Sequence, residues 1–156
     1  MVNALGIMSL IYHSGTGYSE NLCEDITSWF LNTFCPNDSV EVEIVHGDMD
    51  DDCNGMCDYE GDTFLIELNS NMDRELYAKT LLHELTHMKQ FIDGYLKLKG
   101  GKLFYFDQPI SQWDYDDQPH EIVAREQESI LLDWWICDTG DVTPEQVAHW
   151  TPIPSA

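Results

Sequence analysis

The sequence predicts one α+β domain with a small mixed β-sheet, an N-terminal helix, a long central helix and a further helix near the C-terminus. At 156 residues, the chain has the length of one domain and can bury its own core. Stretches with apolar residues every three to four positions alternate with stretches in which they recur every two, a pattern typical of helices mixed with strands. Since no repeat or linker interrupts the chain, we expect residues 1–156 to form a single domain.

The first half of the chain predicts strand, helix and strand. The apolar segment 4–12 is expected to form a buried opening strand. Ser19 is a suitable N-cap for an amphipathic helix that ends near Cys35. Residues 40–45 alternate apolar and acidic side chains and predict a half-buried strand.

An acidic loop is expected over residues 48–62. Within it, Asp50, Asp52 and Asn54-Gly55 have the spacing that opens a calcium-binding loop. Gly61 occupies the position at which such a loop needs a bidentate glutamate. The sequence therefore favours a solvated turn over a cation site here.

The second half begins with a strand and is dominated by two helices. The predicted strand consists of Thr63, Phe64, Leu65, Ile66, Glu67 and Leu68. A long helix follows over about residues 72–93, with Ser70 offering a capping-box-like start. A short strand is expected over 102–106, a helix over about 120–136, and a wrapping C-terminal tail over 140–156.

The charge distribution is strongly acidic. The formal net charge is −22, and all seven lysines and arginines lie at or after Arg74. Such a surface repels phosphate backbones and anionic lipids, so nucleic-acid and membrane-surface partners are disfavoured, while a basic protein partner is favoured. We expect neither a signal peptide nor a membrane-spanning segment, and the five cysteines are expected to be free thiols, so we expect a cytoplasmic protein.

The motif that indicates chemistry is His83-Glu84-Leu85-Thr86-His87, in the middle of the long predicted helix. Histidines four residues apart lie on one face of a helix, one turn from each other, so both imidazoles can reach one metal ion. Zn²⁺ takes such nitrogens readily, and Glu84 is placed to accept a proton from an attacking water without binding the metal. The pattern predicts His83 and His87 as zinc ligands and Glu84 as the general base.

A catalytic zinc needs a third protein ligand and one open position. Glu121 is preferred, because Ala124 lies on the same helical face and its small side chain allows two helices to approach closely. His120 is the main alternative. Glu128 shares that face and is expected to orient a ligand histidine through its other nitrogen.

Together, these residues carry a resemblance. The pentapeptide 83–87, followed by Pro119-His120-Glu121-Ile122-Val123-Ala124, resembles the small single-domain zinc metallopeptidases of the gluzincin type, including minigluzincins and phage-encoded enzymes. The resemblance implies a zincin-like fold in which the long helix carries the active site and the next helix closes it. If the protein is phage-encoded, the resemblance places it in a host cell.

The resemblance also implies how a substrate is held. The strand before the active helix, Thr63 to Leu68, would be a sheet edge that pairs with an extended peptide. A tyrosine or histidine would polarise the scissile carbonyl, and the available candidates are Tyr95, Tyr105, Tyr115 and His120. Arg125 departs from the family pattern, which often has Asp or Asn there.

The function we expect is peptide-bond hydrolysis by a zinc-dependent metallopeptidase that acts on a peptide or protein substrate. One alternative is a zinc-stabilised binding or structural module with a closed site, in which nothing is cleaved. Another is an acidic interaction protein that engages a basic partner through residues 38–62. A protease acting on DNA-bound proteins fits the charge poorly.

Overall fold

Helices and two small sheets form an α+β fold in the computed structural model, which describes residues 8–50 and 53–139. The predicted fold class is therefore confirmed. The predicted tail over 140–156 lies outside the described residues. The helices are α1 (Glu20–Phe34), α2 (Arg74–Ile92) and α3 (Pro119–Thr139), and the strands are β1 (Leu10–Gly15), β2 (Glu41–Gly47), β3 (Gly55–Glu60), β4 (Thr63–Asn69), β5 (Leu96–Lys99), β6 (Lys102–Tyr105) and β7 (Gln108–Pro109).

A four-stranded mixed sheet with the order β1-β2-β4-β3 supports the molecule. β1, β2 and β4 run parallel, and β3 is antiparallel to β4. The alternating side chains of β2 and β4 bury one face against α1 and α2, because every second residue points to the same side. The buried apolar residues of that face are Val42, Ile44, Phe64, Ile66 and Leu68.

The first strand differs from its prediction. Of the predicted segment 4–12, residues 4–7 lie outside the described part of the chain, and β1 begins only at Leu10. It is an edge strand, and Leu10 and Tyr12 are exposed on the outer face of the sheet. A buried strand was therefore the wrong interpretation of these apolar residues, because every second side chain of β1 points to the outer face of the sheet, where Leu10 and Tyr12 are exposed.

The two helices next to the sheet begin at side-chain caps. Ser19 Oγ accepts a hydrogen bond from Leu22 N at the start of α1, as predicted. For α2 the cap is Asp73, which accepts from Leu76 N, and not Ser70. Asn71 has a φ of 64°, a left-handed conformation that cannot belong to a helix beginning at Ser70.

The acidic segment is partly a strand, which corrects the loop predicted over 48–62. Gly55–Glu60 forms β3 and pairs with β4 in the register Gly55↔Leu68 to Glu60↔Thr63. Asp52, which the calcium-loop spacing requires, lies outside the described residues. The acidic side chains of β3 alternate with half-buried residues, so this composition still satisfies the period of a strand.

The pairing of β3 also corrects the predicted sheet edge. Thr63 to Leu68 do form a strand, but β4 lies between β2 and β3, and both of its sides are occupied by ladder hydrogen bonds. The edge next to α2 is β3. Strand order depends on long-range pairing, and the resemblance pointed to the wrong neighbour.

A three-stranded antiparallel sheet follows α2, where the sequence predicted only one strand. The predicted strand over 102–106 is present as β6, between β5 and β7. Gly100 and Gly101 form the β5–β6 turn with φ values of 57° and 78°, which glycine adopts without strain. No helix in the described ranges is long and apolar enough to span a membrane.

Candidate metal centre

The middle of α2 presents both histidines of the motif to α3. His83 and His87 lie one helical turn apart, and their ring centroids are 4.9 Å apart. His87 is buried, and His83 is partly buried. The predicted helical setting of the pentapeptide is therefore confirmed, and both Nε2 atoms face the same space beside Glu121.

Glu121 reaches the histidines from the first turn of α3. Its Oε2 lies 3.1 Å from His83 Nε2, and its Oε1 lies 2.8 Å from His87 Nε2. One ligand atom from each of the three residues lies within 4.8 Å of the other two. Ala124 on the same helix is fully buried, which fits its predicted role in letting α2 and α3 approach closely.

Each histidine has a second partner on its other ring nitrogen. His83 Nδ1 lies 2.9 Å from Glu128 Oε2, and His87 Nδ1 lies 2.9 Å from Gln90 Oε1. Because carboxylate and amide oxygens only accept, both Nδ1 atoms carry the proton in these contacts. The Nε2 atoms are then the ones that would bind a metal ion, which at His83 would replace the proton donated to Glu121 Oε2.

The electrostatics of the cluster favour a cation. Burial works to lower the pKa of His83, but its hydrogen bonds to Glu121 and Glu128 outweigh burial and raise that pKa to about 10. For Glu121, burial acts to raise the pKa, and the two histidines overcome it and hold the pKa well below the ordinary value. The charged carboxylate of Glu121 therefore faces two imidazoles whose raised pKa values favour a bound positive charge on the ring nitrogens.

The set of possible ligand atoms fits Zn²⁺, and the surroundings of His87 Nε2 support this. Its Nε2 is buried and makes no hydrogen bond, although Glu121 Oε1 lies 2.8 Å away. A buried nitrogen without a hydrogen bond is costly unless another partner takes its lone pair. Two imidazoles and one carboxylate form a ligand set used by catalytic zinc sites.

Glu84 lies next to the cluster without belonging to it. Its side chain is only 5% exposed, and its Oε2 has no hydrogen-bond partner. Burial raises the pKa of Glu84 to about 7, against the lowering effect of His87 and His83. The motif therefore places a proton-accepting carboxylate beside the three candidate ligands.

A cavity of about 390 Å³ opens on the cluster. Its polar lining includes Glu84, His87, His120 and Glu121. Its apolar lining includes Met56, Phe91, Leu96, Leu103 and Ile110. A molecule in this cavity can contact both the candidate metal ligands and an apolar wall.

Two of the four predicted carbonyl-polarising candidates line this cavity. His120 is buried, its Nδ1 has no hydrogen-bond partner, and its Nε2 lies 3.8 Å from Glu121 Oε1. Burial lowers the pKa of His120 to about 4, so its ring is neutral near pH 7. Tyr115 is 63% exposed and stands at the cavity mouth, where burial and the nearby Glu121 raise its pKa to about 12.

Other predicted residues lie elsewhere. Tyr95 does not line the cavity, and its ring stacks on Phe106 with centroids 4.8 Å apart. The ring of Tyr105 packs against His120 from outside the cavity. The strand Thr63–Leu68 contributes no lining residue, whereas β3 contributes Gly55, Met56 and Cys57. Tyr95 was chosen for its type alone, since the sequence does not show where the turn after α2 points.

Gln90 is the residue that sequence reasoning missed. It is buried, accepts from His87 Nδ1, and donates from Nε2 to the carbonyl of His120 at 3.1 Å. It thereby links α2 to the start of α3. A polar residue three positions after His87, on the buried side of the helix, was the available signal.

Arg125, the departure from the family pattern, turns away from the cluster. Its guanidinium donates to the backbone carbonyl of Asp116, and its contact with the Asp116 carboxylate is 3.9 Å. Neither histidine needs it, because Glu128 and Gln90 already occupy the two Nδ1 atoms.

Comparison with known proteins adds no relative. No family model matches this chain, and no curated protein matches it either. The functional argument therefore depends on the geometry of the centre.

Proposed function

We propose that this protein is a zinc-dependent metallopeptidase. The observation that carries the proposal is the convergence of His83 Nε2, His87 Nε2 and the Glu121 carboxylate beside the buried Glu84, next to a cavity that Glu84, His87 and Glu121 line. Three protein ligands with open space next to them are typical of a catalytic zinc site, whereas a structural site is closed by four.

The three candidate ligands hold the ion in this proposal. A bound Zn²⁺ supplies Lewis-acid chemistry: it makes a nearby water more acidic and stabilises negative charge on a carbonyl oxygen. Glu128 and Gln90 keep the ligand histidines in the tautomer that leaves Nε2 free.

Glu84 moves the proton. Its carboxylate accepts a proton from water as the water oxygen bonds to the carbonyl carbon of the substrate. The same proton then goes to the amide nitrogen as the carbon–nitrogen bond breaks, which yields a carboxylic acid and an amine. Nothing in this step needs a second base.

His120 and Tyr115 are the candidates for contacting the substrate carbonyl oxygen. Both line the cavity with Glu84, and both carry a polar N–H or O–H group. An extended peptide would lie along the free side of β3, because Gly55, Met56 and Cys57 line the same cavity. The acidic surface favours basic protein substrates, and a cytoplasmic setting stays a prediction.

The test compares Glu84→Gln with Glu126→Gln, a control at an exposed glutamate of α3. Both proteins should bind one zinc ion, as measured by elemental analysis. Wild type and the control should cleave a peptide library, and Glu84→Gln should lose at least about 100-fold in rate. A Glu84→Gln protein that cleaves like wild type contradicts the mechanism. Zinc binding without cleavage by wild type supports the non-catalytic zinc module instead.

A further inference from the structure

The side chains on the inward face of β3 become larger along the strand, from Gly55 through Cys57 to Tyr59. Gly55, Cys57 and Tyr59 alternate with exposed residues and point toward α2. The ring of Tyr59 meets Phe91 near the end of α2, with centroids 5.8 Å apart. Gly55, at the start of β3, lies beside Glu84. The smallest residue of this face therefore lies next to Glu84, the general base of the proposed reaction.

A side chain at Gly55 would crowd three neighbouring side chains. A Cβ atom there would lie 2.8 Å from Thr80 Cγ2 and 3.1 Å from Glu84 Cγ. It would also lie 3.1 Å from Leu68 Cδ2, the residue opposite on β4. Gly55 does not have the left-handed backbone that favours glycine, so the requirement for glycine is one of space.

This contact bears on how Glu84 is held. The Oε2 of Glu84 has no hydrogen-bond partner, and the residue is buried. A carboxylate with few hydrogen bonds takes its position from the packing of its own methylene groups. An added Cβ at Gly55 would lie 3.1 Å from Glu84 Cγ, so a side chain there would press on the methylene groups that hold the carboxylate.

We propose that Gly55 is a positioning residue for Glu84: the missing side chain on the edge strand allows the general base to sit where it reaches the attacking water. The inference rests on the proposed function, in which Glu84 accepts the proton. It adds that catalysis requires the missing side chain at this position of β3, whereas a peptide lying along β3 would contact the strand's backbone, which an alanine keeps.

The test is Gly55→Ala, with Gly47→Ala as the matched control. Gly47 also lies in a strand of this sheet, but a Cβ there meets nothing within 4 Å and its φ is ordinary. We expect Gly55→Ala to lower kcat by about 10- to 100-fold, since small displacements of a catalytic group cost that much. KM and the zinc dissociation constant should stay within about twofold, and Gly47→Ala should match wild type in all three.

A second variant separates positioning from stability. The nearest neighbour of the added Cβ is the methyl group of Thr80, which Thr80→Ser removes. Gly55→Ala should also lower the melting temperature, because the added Cβ crowds the Thr80 methyl group. The double variant Gly55→Ala/Thr80→Ser should recover most of that loss, because the tightest contact is gone. It should keep most of the loss in kcat, because the contact with Glu84 Cγ remains.

Three results would overturn the inference. They are a Gly55→Ala enzyme with wild-type kcat, a double variant that recovers kcat together with stability, and a zinc affinity that falls in parallel with kcat. A crystal structure of Gly55→Ala gives a readout independent of activity and should show the Glu84 carboxylate displaced by several tenths of an ångström. If wild type binds zinc but cleaves nothing, the proposed function fails, whereas an unmoved Glu84 in that crystal structure refutes the contact itself.

Discussion

His83 and Glu128 are joined across the interface of α2 and α3 by a contact of 2.9 Å between Nδ1 and a carboxylate oxygen. The residues are 45 positions apart, and the contact leaves Nε2 of His83 facing Glu121. A carboxylate behind a ligand imidazole fixes its orientation and makes it a stronger ligand. The same contact ties the middle of α3 to α2.

Replacing Glu128 should weaken metal binding without removing it. Glu128→Ala should lower the zinc affinity by about 10- to 100-fold, because the imidazole of His83 loses its orienting partner. Glu128→Gln should lose less, since its amide oxygen can still accept the Nδ1 proton. Competition with a chromogenic chelator measures both, with the exposed Glu126→Ala as control. An unchanged affinity in Glu128→Ala would show that the contact does not support the ligand.

Gln90 has two contacts that two substitutions can separate. Gln90→Glu keeps an oxygen for His87 Nδ1 but loses the donor to the His120 carbonyl, so stability should fall by about 1 kcal/mol while zinc still binds. Gln90→Met loses both contacts and should also lower the zinc affinity by about 10-fold or more. Urea unfolding and chelator competition distinguish the two effects. Equal zinc affinity in both variants would refute the role assigned to the His87 contact.

The spacing of residues along the chain predicted the features that depend on the helical repeat. The period of α2 and the spacing within 83–87 were sufficient for the helix and for the shared face of its histidines. The spacing of seven residues between Glu121 and Glu128 was sufficient to place both on the α2 side of α3. These are consequences of the helical repeat and need no knowledge of distant pairing.

The parts that failed depend on long-range pairing. Whether β4 or β3 forms the edge is decided by which strands pair across the sheet. The acidic composition of the segment around β3 is typical of a loop, so the sequence did not predict a strand there. Tyr95 and Tyr115 were equal candidates in sequence, and only the turn after α2 and the loop before α3 separate them. Gln90 was missed because a buried glutamine on α2 has no distinctive spacing of its own.

Tyr115 should matter for turnover more than for metal binding. Tyr115→Phe removes a hydroxyl of the cavity lining, which lies near Glu121, and should lower kcat by about 10- to 100-fold if that hydroxyl contacts the substrate oxygen. Tyr95→Phe is the matched control, because Tyr95 lies outside the cavity. Steady-state kinetics on a fluorogenic peptide measure the effect. Loss of activity in His120→Gln, with none in Tyr115→Phe, would assign this contact to His120.

A buried histidine away from the centre makes stability depend on pH. His46 Nδ1 donates to the Ser14 carbonyl at 2.9 Å, its Nε2 accepts from the Tyr77 hydroxyl at 2.8 Å, and its ring stacks on Tyr18 at 3.5 Å. Burial lowers the pKa of His46. The hydrogen bond to Ser14 acts to raise this pKa and the nearby His13 acts to lower it, and the lowering effects prevail. The folded protein therefore holds this ring neutral.

The sign of the effect follows from that lowered pKa. Below about pH 6.5 the unfolded chain protonates His46 before the folded protein does, so the stability that His46 contributes falls as the pH falls. Wild type should be more stable than His46→Gln near pH 7, and the difference should shrink toward pH 5. Urea unfolding with a chelator present measures it. A difference that grows on acidification would mean that His46 is charged in the folded protein.

The most direct test of the proposed centre is an anomalous difference map recorded at the zinc absorption edge from crystals of the purified protein. The account predicts one peak about 2.0–2.1 Å from Nε2 of both His83 and His87 and within bonding distance of Glu121, with Glu84 outside the coordination shell. A site without a peak, or a peak closed by His120 as a fourth protein ligand, would contradict it.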